Sequence, residues 1–471
     1  MHDMGRLLLF VLAAGPASGA LDPDTLPQVG YHPGGLAYWS CPYLCNALAQ
    51  GQWLEYGPGQ WGSSVSVWDN PQFDPNGFPR YLNPGKSLRG ICYGLHCDYG
   101  DSRPSTWPVR SRLAQGHVVL TWKGSADIRL HGGAFVPAES NCLQAGRFKD
   151  GRRVYLFTGD QHVQWLDCLE IDAQDPVTDI RVWLADPEDP QRRSLEGQVF
   201  HPVFLERLAD ADWGFIRFMD LLTTNANPQQ DWSDRRGPGH CFGHGVLNPR
   251  APAAGFSGQR GTGMAFEHMV ALCNQADKDL WVCVPHLATD DFVTRLARLI
   301  LYGSDGREPY ARPTAKPVYP PLARHLRVYI EYSNEIWSNG DSFCQGNWAQ
   351  EQAKSLGLTK PQFNARRFSQ VWRVFQQVFG GADRLVRVAA VFTAHADYTR
   401  PFLQEMAAYG PTLDPAVEPD VIAATTYFGN GIQDYVFERA RSAPGTDDPW
   451  FLTTETFVAG GTSRPVSLAA N

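Results

Sequence analysis

No apolar stretch of this 471-residue chain approaches the roughly 20 residues that a membrane helix needs. A Gly-x-Ser-x-Gly elbow is also missing, which excludes the strained turn that exposes a serine nucleophile in hydrolases of that kind. No Asn-x-Ser/Thr sequon occurs, so N-glycosylation is not expected. Positive charge is in deficit, with 41 Lys and Arg against 49 Asp and Glu and a net charge of −8. Without a basic stripe to displace counterions, nucleic acid is not an expected partner. Charged residues are 19% and apolar residues 43%, the balance of a chain that buries a core.

What is present begins with a leader. Arg6, the apolar run Leu7 to Ala14 and the small residues Ser18-Gly19-Ala20 read as a secretory signal over residues 1–20. Secretion changes how the ten cysteines read: in an oxidising compartment they are disulfide candidates before they are metal ligands. Cys41 and Cys45, and Cys92 and Cys97, are sequence neighbours, but spacing does not fix pairing. Cys283 sits inside an apolar strand and reads as a buried thiol. The 15 Trp, 17 Tyr and 25 Phe are mostly core, with enough Trp left over to furnish a stacking cleft.

Two textures follow one another. Short β-type runs such as His117 to Trp122, Val154 to Phe157 and Ile180 to Leu184, separated by Gly, Pro, Asp and Asn, fill residues 60–190 and suit a sandwich. From about His201 strands alternate with helix-period segments. Trp213 to Met219, Leu280 to Pro285, Leu326 to Asn334, Leu385 to Phe392 and Val421 to Phe428 are the strands. Asp290 to Tyr302 and Asn364 to Phe379 are the clearest helices, the first with Thr289 as its cap and Gly303 as its stop. Apolar strands alternating with helices mean a parallel sheet. Repetition of the unit predicts an α/β fold of the eight-fold βα (TIM) barrel type, with an open doubly wound sheet as the competing reading. Gly35 to Trp39 would be the first strand, within residues 21–59. The β-rich segment would be an inserted sandwich-like domain, and residues 191–471 the catalytic barrel. Trp450 to Phe457 would be the seventh strand, which leaves the barrel incomplete at its C-terminus. The one Gly-x-Gly-x-x-G match, Gly57 to Gly62, follows no clear strand and opens no helical pattern, so no dinucleotide cofactor is expected.

Reactive groups in such a fold gather at the carboxyl ends of the strands. That rule selects Arg217 and Asp220, His286, Asn334 and Glu335, His395, Tyr427 and Glu455. Arg217 is an expensive charge in an apolar strand and calls for a carboxylate partner. His286 equally suits a helix-capping role, and Tyr427 a plain strand end. The run Glu331-Tyr332-Ser333-Asn334-Glu335-Ile336-Trp337 puts a carboxyl, an amide and an aromatic face at one rim. A carboxyl can protonate a glycosidic oxygen, and Trp337 can stack on a sugar ring; the plainer alternative is a solvated Glu beside a boundary Trp. The Gly- and Pro-rich loop from Asn225 to Thr262 follows a strand and brings Trp232 to the same end. His240-x-x-x-His244 on that loop has no helix to fix its spacing, and no metal is expected.

Several strings carry a family resemblance. They are Gly34-Gly35-Leu36-Ala37-Tyr38-Trp39-Ser40, His201-Pro202-x-Phe204-Leu205, Arg217-Phe218-Met219-Asp220 with Thr224-Asn225, Trp281-Val282-Cys283-Val284-Pro285-His286, and the run from Glu331 to Trp337. On them the chain resembles the clan A glycoside hydrolases, and more closely a group of secreted barrel proteins often labelled cellulose-binding. The resemblance implies a retaining two-carboxylate hydrolysis of a β-linked polysaccharide or oligosaccharide. It makes Glu335 the acid/base, has Asn334 bond the substrate, has Arg217 hold the carboxylates, and lets His286 and Tyr427 line the site. The clan's Tyr-Glu-Gly context for the nucleophile is missing here, and Glu455 is the well-placed substitute. If Glu455 is not the nucleophile, the reading becomes a non-catalytic or truncated carbohydrate-binding barrel.

Overall fold

The computed structural model describes residues 10–13, 29–36, 43–67, 70–92, 116–131, 135–158, 165–209, 211–240, 263–340, 343–393, 395–425, 454–459 and 462–467. The chain divides into two compact units, Met1–Ala424 and Thr425–Asn471.

The first unit is built on a parallel half-barrel. Its strands run in the order Val421–Ala424, Leu385–Val391, Val328–Tyr332, Asp279–Val284, Phe215–Phe218 and Gly30–Tyr31, each parallel to the next. Phe10–Ala13 pairs antiparallel with Val421–Ala424 at one end of the sheet. The central strands read as near-unbroken apolar runs because both of their faces are buried. One face (Ile216, Phe218, Leu280, Val282, Val284, Val328, Ile330, Tyr332) packs in the main core with the helices Phe266–Ala276, Asp290–Tyr302 and Lys360–Phe379. The other carries a second cluster of Phe215, Trp281, Cys283, Tyr329, Val386, Val388, Val421 and Ala423. There Trp281 and Tyr329 stack at 5.2 Å and 8°, with Phe215 about equally close to both.

The helices follow their sequence signals. Thr289 Oγ1 accepts from Phe292 N at 3.2 Å, and Thr359 with Gln362 makes a capping box at the head of Lys360–Phe379. That helix places Phe368, Val371, Trp372 and Phe375 on its buried side. Among the described residues, none of the helices is long and apolar enough to cross a membrane.

The β-rich segment forms two antiparallel sheets around a shared core that includes Trp53, Leu88, Val118, Leu120, Trp122, Ile128 and Leu166. One sheet orders Thr178–Trp183, Gly116–Lys123, Arg152–Phe157 and Phe135–Pro137. The other orders Ser63–Ser64, Gln52–Tyr56, Ser87–Ile91, Trp165–Ile171, Ser125–His131 and Phe148–Lys149. Gly57 to Gly62 is the turn between Gln52–Tyr56 and Ser63–Ser64, where Gly59 and Gly62 take φ of 74° and 116°.

These observations correct the expected fold. The parallel sheet has six strands and is a half-barrel, not an eight-fold barrel, and the described residues hold six helices. The antiparallel sheets fall in the same compact unit as the half-barrel and do not form a separate inserted domain. The first strand is Gly30–Tyr31, and Gly35 and Leu36 lie beyond it. A side chain at Gly30 would meet the Phe215 ring at 1.9 Å, so glycine permits that close pairing. The expected seventh strand is absent from the parallel sheet: Thr454–Ala459 pairs antiparallel with Thr462–Ser467 as a two-stranded hairpin. Local alternation could not have distinguished these outcomes, since a two-sided strand looks the same in an open and a closed sheet. Among the described cysteines, Cys45, Cys92, Cys142, Cys168, Cys273 and Cys283 carry free thiols.

Candidate functional site at the strand ends

Arg217 lies on the inner face of the half-barrel, beside Trp281 on the next strand and two residues along from Phe215. Its Nε and Nη2 donate to the two Glu331 carboxylate oxygens at 3.0 and 2.9 Å. Nη2 also donates to Asn334 Oδ1 at 3.0 Å. Trp281 Nε1 donates to Glu331 Oε2 at 2.8 Å, and the Cys283 thiol lies 3.4 Å from the same oxygen. Glu331 is therefore a buried carboxylate whose fork is matched by the guanidinium. Burial opposes the Arg217 charge, but the Glu331 carboxylate overcomes it and holds the guanidinium pKa above its ordinary value. Burial, reinforced by Glu331, drives the Cys283 thiol well above its ordinary value, so it stays protonated.

Beyond Glu331 the chain turns sharply. Ser333 and Glu335 both adopt left-handed backbone, with φ of 61° and 44°. For residues other than glycine each such position costs on the order of 1–3 kcal/mol and persists only where its surroundings over-determine it. They do so here. Ser333 N donates to Val284 O at 2.8 Å, and Ser338 N donates to Glu335 O at 2.8 Å. Gln345 Nε2 donates to Asn334 O at 2.9 Å and to Asn225 Oδ1 at 2.8 Å, while Asn334 Nδ2 donates to the same Asn225 oxygen at 3.0 Å. Lys360 Nζ donates to Trp337 O, Ser338 O and Asn339 Oδ1 at 2.8, 3.1 and 2.7 Å. Gly346, in the helix Cys344–Ser355, lies so close to this loop that a Cβ would stand 1.6 Å from Ser338 O. The result is a clamped turn that leaves Glu335 half-buried at the rim.

Two histidines border the cluster and are neutral. Burial, helped by the Arg217 charge, lowers the His32 pKa to about 3. His32 Nε2 accepts from Asp220 N at 3.4 Å, so the 3.7 Å approach of Asp220 Oδ2 is not an ion pair. Burial alone lowers His286 to about 3. Its ring meets Trp348 edge-on at 5.4 Å, and its backbone carbonyl accepts from Tyr332 OH at 2.7 Å.

Of the residues selected from sequence, the structure brings Arg217, Asn334 and Glu335 together, with His286 joined through Tyr332. Trp337 is enclosed and faces Phe392 at 6.0 Å and 9°. Trp232 is elsewhere: it is buried against Phe292, capped by the Arg235 guanidinium at 4.4 Å, and donates to Arg307 O at 3.0 Å, so it is not available as a stacking face. Tyr427 and His244 lie outside the described residues. Glu455 belongs to the hairpin, opposite Val466, and its side chain is outside the described residues. Sequence reasoning did not assign site roles to Glu331, Trp281, Asn225 and Gln345. Glu331 could have been found as the inward-facing carboxyl demanded by Arg217. Gln345 carried no such signal. Among the described residues no group of three or more His, Cys, Asp or Glu side chains could hold a metal ion.

Comparison with known protein families, curated proteins and solved structures finds no match to this chain.

Proposed function

We propose that this protein is an exported glycoside hydrolase acting on a β-linked polysaccharide or oligosaccharide, with Glu335 as the acid/base. The observation that carries this reading is the clamped left-handed turn at Ser333 to Glu335, which holds a half-buried carboxyl beside a buried, fully committed Arg217–Glu331 pair. Strain of this kind is retained where a side chain must be presented in one direction. In the first step a carboxylate oxygen bonds to the anomeric carbon. The glycosidic C–O bond breaks, and its electron pair takes the Glu335 proton. In the second step Glu335 removes a proton from water, whose oxygen displaces the carboxylate. Arg217 and Asn225 fix the orientation of Asn334, and in this reading Asn334 bonds a substrate hydroxyl next to the reacting carbon.

The antiparallel hairpin around Glu455 favours a second reading, a carbohydrate-binding protein that does not hydrolyse. Glu335→Gln separates the two. On oligosaccharides the substitution is expected to lower kcat/KM by about 10²- to 10⁴-fold, the usual contribution of a general acid. The loss should be much smaller on aryl glycosides whose leaving group needs no proton. Unchanged turnover in the variant would remove Glu335 from the chemistry. Saturable sugar binding without turnover in the parent protein would establish the second reading.

A further inference from the structure

Two residues along the chain from Glu335, Trp337 opens a cleft of about 520 Å³, lined by Trp337 and Asn339 from one loop, by Phe392 and His395 from the next, and by Asp397 and Tyr398 from the first turn of the helix Ala396–Tyr409. Both loops leave the carboxyl ends of adjacent parallel strands, Val328–Tyr332 and Leu385–Val391. Crevices at that position are where open parallel sheets take their ligands. The volume is within the roughly 300–1,000 Å³ of small-molecule sites. We propose that this cleft is a subsite for one neutral sugar ring of the glycan chain, held next to the bond that Glu335 would protonate; it rests on the reading of Glu335 given above.

The chemistry of the lining selects the occupant. Trp337 and Phe392 are within 9° of parallel, and His395 continues the series at 5.2 Å and 27° from Phe392. The three rings are stacked on one another, and His395, exposed at the end of the stack, offers a flat ring to the C–H face of a pyranose. Polar groups surround it: Asn339, His395 and Asp397 are exposed at the mouth, where hydroxyls need donors and acceptors. Trp337 is 9% exposed, and its Nε1–H has no hydrogen-bond partner among the described residues. A buried donor left unmade is costly, and a sugar oxygen reached by a slight shift of the indole would satisfy it.

Charge selects between neutral and acidic sugars. The one ammonium in the lining, Lys360, directs its three donors to Trp337 O, Ser338 O and Asn339 Oδ1. It has none left for a ligand carboxylate. Asp397 adds a negative group at the mouth, which repels a uronic acid and accepts hydroxyl hydrogens from a neutral ring.

The test uses the full chain and calorimetric titration with tetrasaccharides of β-linked glucose, mannose, xylose or galactose, and with a tetramer of galacturonic acid. At least one neutral probe should bind, and the acidic one should bind at least tenfold more weakly. Asp397→Ala and the conservative Trp337→Phe should each raise the Kd of the neutral probe at least fivefold, with melting temperatures checked against the parent. Glu335→Gln should leave that Kd within twofold. Absence of binding by every neutral probe, a preference for the acidic one, or an unchanged Kd in both cleft variants overturns the subsite. If the cleft variants lose binding while Glu335→Gln retains full turnover, the subsite stands and the catalytic reading falls. If Glu335→Gln abolishes turnover while the cleft variants bind as the parent does, the reverse holds.

Discussion

Arg217→Met should remove one half of a buried ion pair and leave the other stranded. Glu331 accepts from Arg217 Nε, Arg217 Nη2, Trp281 Nε1 and Cys283 Sγ. The Arg217 and Glu331 side chains are 7% and 3% exposed, so water does not screen the exchange. Breaking such a pair from one side costs about 3–5 kcal/mol, because the remaining charge stays buried without compensation. With a denaturant slope of about 3 kcal/mol per molar in urea, the unfolding midpoint should fall by about 1 to 1.7 M. Arg217→Met combined with Glu331→Leu removes both charges, and its cost should lie well below the sum of the single substitutions. Urea titrations followed by tryptophan fluorescence give all four corners of the cycle. Additive costs, or an Arg217→Met penalty below about 1 kcal/mol, would refute the idea that this pair is a coupled buried unit.

Two further outcomes follow from the same region. Gly346→Ala puts a methyl group into the Ser338 carbonyl, which cannot yield without moving the loop that carries Glu335. A stability loss of about 1–3 kcal/mol is expected from such overpacking, with a fall in turnover larger than the loss of folded protein measured by circular dichroism. Burial also holds His32 and His286 to pKa values of about 3, and His268 to about 4, all below the unfolded value near 6.5. As pH falls through that interval the unfolded chain takes up protons first, so each histidine removes about 1.4 kcal/mol of stability per pH unit. Melting temperature should drop between pH 6.5 and 4, and His286→Gln should flatten part of that slope; an unchanged slope would mean that His286 titrates normally.

The strand and helix sequence of the parallel sheet was legible because its signals are local. Asp290–Tyr302 has its cap at Thr289 and its stop at Gly303, as its residues demand. The helix Lys360–Phe379 starts four residues earlier than its apolar stripe suggests, since the Thr359–Gln362 capping box and not the stripe sets its head. Cys344–Ser355 escaped notice for a related reason. Its buried positions are Gln345, Gly346, Ala349 and Ala353, small or polar residues that leave no stripe to detect. Closure of the sheet was not legible at all. Whether a sixth strand is followed by two more depends on pairings across the fold, and Glu455 shows the risk: its strand alternates well but pairs with its own neighbour. At the site, Arg217 announced a carboxylate because a charge in an apolar strand is costly. Asn225 and Gln345, more than 100 residues apart, meet only because the loop and the helix converge on Asn334.

The antiparallel pairing of Phe10–Ala13 with Val421–Ala424 settles what happens at one margin of the sheet. Val421–Ala424 is the last of the parallel strands, and without a neighbour its outward N–H and C=O groups would be unpaired. An uncovered strand edge is a template for another chain. A short segment from the far end of the sequence occupies that template, so the sheet's own chain takes the place that a second copy could otherwise fill.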